Sequence, residues 1–171
     1  MSVSLKYAVI ERERRYRLLS LPEGIASTQE IVDRYITGTR MRLREVRMSD
    51  GTVVRKLGHK VRLGEGTAEV ACTNFYVNDA EWSLLMDLPA QVLQKRRHLV
   101  HRDGFLVAID EHHDGALIAE IDDGAAPTDV VPAWLDVAED ISADERWTGA
   151  GLAHRAAGRV GDPSADPDVL T

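Results

Sequence analysis

Charged residues stand at alternate positions through stretch after stretch of this chain, and few architectures can use them. In VIERERRYR (9–17), read with a period of two, Glu11, Glu13 and Arg15 share one face of a strand, and Ile10, Arg12, Arg14 and Tyr16 share the other. Read with a helical period, Glu11 and Arg15 instead form an i, i+4 pair on a solvated helix, so this stretch alone leaves both readings open. In TRMRLREVR (39–47), Arg40, Arg42 and Arg44 fall on one face and Met41, Leu43 and Glu45 on the other. The same parity sets apart Lys60, then Lys95 and Arg97, then Asp110, then Glu120 and Asp122. In LIAEIDDG, Leu117, Ala119 and Ile121 take one face, while the two acids share the other with Ile118.

Turn chemistry decides between strand and helix for most of these segments. SDG at 49–51 and GEG at 64–66 bracket TVVRKLGHKVRL, and Asp-Gly pairs at 103–104, 114–115 and 123–124 close QVLQKRRHLVHR, FLVAIDEHH and ALIAEID. AEVACTNFYV reads as a further strand. This is a mostly antiparallel β protein, and in that setting the opening stretch reads as a strand too. A short helix begins at Asn78, three residues before Glu81 in a capping-box pattern, and Pro89 ends it; a fainter version of the pattern, Ser27 with Glu30, precedes IVDRYI. After Ala125 the text changes to a loop followed by helical segments expected to pack on the sheet. Residues 1–157 are expected to form one domain and 158–171, rich in Gly, Pro and Asp, a disordered tail.

Bulk properties exclude several classes. With 171 residues, 44% hydrophobic and 29% charged, the chain can bury one good core. A net charge of -7 argues against general nucleic-acid binding, so any anion site must be local. No apolar run approaches the roughly 18 residues of a membrane helix and no secretory leader is visible, so a cytoplasmic protein is expected. Cys72 is alone, which excludes an internal disulfide and a cysteine-cluster metal site. An open sheet would show the charged rows to water; a closed barrel would turn them inward.

Taken together and in order, these motifs resemble the CYTH superfamily, the triphosphate tunnel metalloenzymes. ERERRY is similar to the family's ExExK opening strand, with Glu11 and Glu13 as its acids and Arg15 where Lys is usual. RLR (Arg42, Arg44), LGHK (Lys60), KRR (Lys95, Arg97), AID (Asp110), AEID (Glu120, Asp122), PAWL (132–135) and DISADERW (Asp140, Asp144, Arg146) follow in the family's sequence. The resemblance spans Tyr7 to about Ala153. It implies a mainly β (α+β) fold: a closed antiparallel barrel of about eight strands around a charged tunnel, with small outer helices. It also implies Mg²⁺ or Mn²⁺ on Glu11, Glu13, Glu120 and Asp122, which would be the catalytic acids. The phosphates of a small anionic triphosphate would then meet Arg15, Arg40, Arg42, Arg44, Lys60, Lys95, Arg97 and Arg146, with Asp110 in support. Arginine forks and lysine point charges suit phosphate oxygens, and hard divalent cations suit carboxylates. The implied reaction is metal-dependent hydrolysis of a triphosphate, with inorganic tripolyphosphate first, since no nucleoside- or thiamine-specific pocket can be read; thiamine triphosphatase and class IV adenylate cyclase are the rivals. No membrane partner is expected, and a homodimer stays open.

Each feature has a plainer alternative when taken alone. The acid-base alternation fits a salt-bridged solvated face, the arginine row fits an aggregation-resistant strand, and Glu120 with Asp122 fits a surface pair. His112 and His113 are adjacent and so point to opposite faces, as do His98 and His101, three apart. Trp82, Trp134 and Trp147 read as packing anchors, and Cys72 as a buried small hydrophobe. One departure stands out: where the family carries a second E-x-E pair, this chain has Cys72 and Asn74, and Glu69 has the wrong parity to replace them. The alternative it raises is a module that binds a triphosphate or polyphosphate without turning it over.

Overall fold

A computed structural model describes residues 6–64, 69–124 and 128–160. Among them are nine strands: β1 (Val9–Leu18), β2 (Ile25–Ile36), β3 (Met41–Met48), β4 (Val53–Arg62), β5 (Glu69–Tyr76), β6 (Ala90–Arg102), β7 (Phe105–His112), β8 (Leu117–Asp122) and β9 (Val137–Asp140). Every pairing is antiparallel, in the order β5-β4-β3-β2-β6-β7-β8-β1. The first half of β1 returns to β5 (Val9 opposite Cys72, Glu11 opposite Val70) and closes an eight-stranded barrel. Where β5 leaves that edge, β9 takes it over, with Tyr16 opposite Asp140, as one outer strand. Closure removes the open edges a sheet of this length would expose.

Local chemistry sets the connections. Arg102 lies opposite Phe105, so Asp103 and Gly104 form a two-residue loop; both have positive φ, 53° and 80°, as the type I′ turn demands. Helix α1 (Asp79–Met86) starts as its sequence announces: the Glu81 amide donates to Asn78 Oδ1 (2.9 Å), and the Asn78 amide donates to Glu81 Oε2 (2.8 Å).

One apolar core cluster lies on the barrel's outer side. Tyr16, Leu18, Val100, Val107, Ile109, Ala119 and Ile121 face outward and are sealed by Leu135, Trp134 and Val137 from the segment that runs into β9. The opposite parity of these strands is thereby left free to carry charge inward. The expectation that His112 and His113 separate is met, His112 being buried and His113 exposed; His98 is likewise buried and His101 exposed.

Two expectations need correcting. IVDRYI is no helix: it belongs to the twelve-residue β2, which pairs along its length with both β3 and β6. The capping pattern at Ser27 and Glu30 is outweighed by two ladders of long-range hydrogen bonds, and Ile31, Val32 and Tyr35 suit a strand. The segment after 125 is not only loop and helix, because it supplies β9 before a 3-10 turn (Glu145–Trp147) and helix α2 (Gly149–Val160), which packs on β6. Helix α2 continues past residue 157; the rest of the expected tail, 161–171, lies outside the described residues, as does part of the GEG turn. No helix among the described residues is long and apolar enough to cross a membrane.

Candidate functional site

The inward parity of the barrel strands lines a cavity of about 860 Å³. Strand β1 gives it Glu11, Glu13 and Arg15; β3 gives Arg42 and Arg44; β4 gives Lys60; β6 gives Lys95 and Arg97; β8 gives Glu120; and Arg40 stands at its mouth. Ten of the expected site residues therefore meet in one space. Asp110 joins them from β7 through its partners on β6.

The basic wall is held in place by two buried carboxylates. Asp33, fully buried, accepts from Arg44 through both oxygens (Nε 2.6 Å, Nη2 2.7 Å), with Arg42 Nε 3.5 Å away. Burial opposes its ionisation, but Arg44, Arg42 and Lys95 outweigh this and hold its pKa well below the usual carboxylate range. Asp110 does the same for β6: it accepts from Arg97 at 2.6 and 2.7 Å and from Lys95. Its pKa is also strongly lowered, by Lys95 and Arg97 against burial. Arg97 extends to Glu120 as well. Burial lowers the Lys95 pKa despite these partners.

The acidic sector spans β1 and β8, where Arg15 stands opposite Glu120 and Glu13 opposite Asp122. Lys60 Nζ donates to Glu11 Oε2 at 2.8 Å and lies 3.5 Å from Glu13 Oε1. The Glu13 pKa is raised, first by burial and then by the nearby Glu120 and Glu11 charges, against Lys60 and Arg15. Crowded carboxylates of this kind are what a hard cation relieves. Among the described residues no group of three or more His, Cys, Asp or Glu forms a preassembled metal cage. Mg²⁺ asks for less, one or two carboxylates with the substrate's phosphate oxygens completing its shell, and Glu11, Glu13 and Glu120 fit that demand.

Two guanidinium groups of the cavity lining are incompletely satisfied. The Nε atoms of Arg15 and Arg42 are buried without a hydrogen-bond partner. Arg15 is anchored from behind, where its amide donates to Ser142 Oγ and its Nη2 to the Ser142 carbonyl, both at 3.0 Å. A buried donor without an acceptor is costly unless a ligand supplies one.

Two expected residues are not brought into the cavity lining. Asp122 is exposed, and its Oδ1 accepts from the amides of Arg12 (3.1 Å) and Gly124 (2.9 Å), which fixes the turn after β8. The Arg146 side chain is exposed and pairs with Asp144 at 2.7 Å. Conversely, the sequence reading missed Asp33; Lys56, opposite Arg44 on the inward parity; Tyr35 and Gln91; and Thr148 to Ala150 at the start of α2. Ladder partnership with Arg44 was the signal for the first two: for Asp33 it required the β2 strand to be recognised, whereas for Lys56 it lay in the hairpin about the SDG turn.

The departure on β5 holds in three dimensions. Val70 lines the cavity, Cys72 stands opposite Lys60 and Asn74 opposite Gly58, all on the inward parity. Glu69 has the other parity and pairs with Arg12.

No known family profile matches the sequence, and no curated protein is detectably similar to it. Solved structures are. A structure described as the inorganic triphosphatase NE1496 aligns with TM-score 0.54 at 18% identity, covering 84% of this chain and 93% of its own. Another, described as the hypothetical protein NE1496, aligns with TM-score 0.53 at 18% identity, covering 84% and 97%. This chain shares the fold of these structures, a closed eight-stranded antiparallel barrel. The fold expected from the order of the CYTH-like motifs is thus borne out over most of the chain's length.

Proposed function

We propose that the barrel binds a linear triphosphate in its cavity and hydrolyses it with the help of Mg²⁺ or Mn²⁺, inorganic tripolyphosphate being the first substrate and the cytoplasm the setting. The observation that carries this reading is the convergence of Arg15, Arg42, Arg44, Lys60, Lys95 and Arg97 on one enclosed space beside Glu11, Glu13 and Glu120. The inorganic triphosphatase activity in the name of the structural neighbour NE1496 supports it.

Arg42 and Arg15 would grip phosphate oxygens through their guanidinium groups in the cavity lining, and Arg44, Arg97 and Lys95 would present their remaining N–H groups from fixed positions. Glu11, Glu13 and Glu120 would hold the cation, whose chemistry is to neutralise developing charge on the transferred phosphoryl group. The balanced step is attack of water on a terminal phosphorus, cleavage of the bridging P–O bond, and departure of diphosphate and orthophosphate with one water consumed.

The neutral β5 positions Cys72 and Asn74 favour a second reading, a module that retains the anion without turnover. Orthophosphate release from tripolyphosphate, ATP and thiamine triphosphate, each with Mg²⁺ and with Mn²⁺, separates the two. Release that disappears in Glu120→Gln and Arg42→Ala supports the enzyme. Tight binding without release under either metal supports the module, and release unaffected by both substitutions removes the cavity from the reaction.

A further inference from the structure

Charge is unevenly distributed around the inside of the barrel. The β6, β3 and β4 strands bring Lys95, Arg97, Arg42, Arg44, Lys56 and Lys60, while β8 and β1 bring Glu120, Glu11 and Glu13. Asp110 on β7 and Asp33 on β2 direct both carboxylate oxygens to guanidinium or ammonium groups, leaving little capacity for a metal. Next to β1 on its other side, β5 presents Val70, Cys72 and Asn74. Asn74 Nδ2 lies 3.3 Å from the Cys72 sulfur. A cysteine sulfur, an amide and an isopropyl group offer no anionic oxygen, and hard divalent cations discriminate against such a set. Glu69 cannot stand in, because it points outward to Arg12.

We propose that the cavity takes one divalent cation for each bound polyphosphate, seated on one or two of the β1 and β8 carboxylates Glu11, Glu13 and Glu120 with phosphate oxygens completing its shell, and that the β5 wall supports no second one. This rests on the phosphate-binding reading above and adds a stoichiometry to it. Two-metal phosphoryl-transfer sites hold their ions about 3.5–4 Å apart, each with its own anchoring oxygens. Here the carboxylates with spare capacity occupy a single sector, β1 and β8. A second ion displaced toward β3, β4 or β6 meets guanidinium and ammonium groups; displaced toward β5, it meets neutral side chains.

The test counts metal, not turnover. The full chain is saturated with imidotriphosphate, a non-hydrolysable analogue, and with Mn²⁺, passed through a desalting column, and analysed for retained Mn²⁺ by electron paramagnetic resonance and for retained analogue by phosphorus content. One Mn²⁺ per chain with one analogue is expected in the unsubstituted protein. Loss of that ion in Glu11→Gln/Glu120→Gln, with the analogue still retained, supports its placement. A count of two, or of none with the analogue retained, overturns the single site and leaves the phosphate reading intact. Failure to retain the analogue overturns that reading and the inference with it. The unsubstituted count is decisive even if the variant does not fold.

Discussion

Asp33 is a fully buried carboxylate whose neighbours are arginines, and its removal should be felt in both stability and binding. Replacing it with Asn leaves the Arg44 and Arg42 guanidinium groups buried beside a neutral amide. Breaking a buried pair in this way costs about 3–5 kcal/mol, so Asp33→Asn should lower the urea midpoint sharply while the KM for tripolyphosphate rises as Arg44 loses its fixed aim. The same residue sets a pH dependence. Its folded pKa is lowered, as is that of Asp110, so the unfolded chain takes up protons on these groups first as pH falls. Their contribution is fully present above the ordinary aspartate range near pH 4 and is lost progressively below it. Urea unfolding at pH 3, 4, 5 and 7 should show stability falling toward acid, with a shallower slope in Asp33→Asn. Arg42 tests the other side of the site. Its guanidinium lines the cavity, so Arg42→Ala should weaken tripolyphosphate binding about tenfold to a hundredfold by calorimetry, the scale of a charge-assisted hydrogen bond. Why Asp33 escaped the sequence reading is physical: a lone acid among Ile31, Val32 and Tyr35 forms no alternating row, and the upstream Ser27 and Glu30 imitate a helix start. By contrast Glu11, Glu13, Arg42, Arg44, Lys95 and Arg97 come in pairs two apart, which a strand must send to one face.

At the level of elements, parity carried most of the barrel, and long-range packing carried the remainder. Nothing local in PAWLDVAED says that it covers an outward-facing core of Tyr16, Val107 and Ile121, or that β9 takes over the edge of β1 that β5 leaves. The start of α2 is equally a tertiary feature. A Cβ on Gly149 would lie 1.8 Å from Tyr35 Oη, and one on Gly151 would lie 2.4 Å from the Glu145 carbonyl oxygen. These glycines let the helix begin against the cavity mouth, where Thr148, Gly149 and Ala150 meet Tyr35. The Gly151 contact is with backbone, which cannot rotate away. Gly151→Ala should therefore cost about 1–3 kcal/mol, the range for overpacking, despite alanine's better helix propensity. The Gly149 contact is with the end of a ring, so Gly149→Ala should instead shift Tyr35 and change tripolyphosphate affinity. Thermal melting and calorimetry on both variants distinguish a backbone clash from a displaced side chain.

For the whole molecule, the formal charge of -7 and the basic cavity belong together. The described cavity residues hold more cations than acids: Arg15, Arg42, Arg44, Lys56, Lys60, Lys95 and Arg97 against Glu11, Glu13, Asp33, Asp110 and Glu120. The remainder of the chain is therefore more acidic than its total suggests, and the affinity for polyanions is confined to the interior. Like charges brought together in that interior raise the free energy of the folded protein, and a polyanion bound among them lowers it. Unfolding scatters these residues along the chain, so the ligand has no comparable site there, and mass action then requires the melting temperature to rise with ligand concentration. At a hundredfold excess over Kd the stabilisation is about 2.7 kcal/mol, which for a domain of this size corresponds to roughly 5–10 °C. Tripolyphosphate with Mg²⁺ should produce that shift in a thermal scan, orthophosphate at the same concentration should produce less, and Arg42→Ala should diminish it. A barrel whose charged rows merely solvate its walls would melt at the same temperature with or without tripolyphosphate, and that outcome would count against an anion site in the cavity.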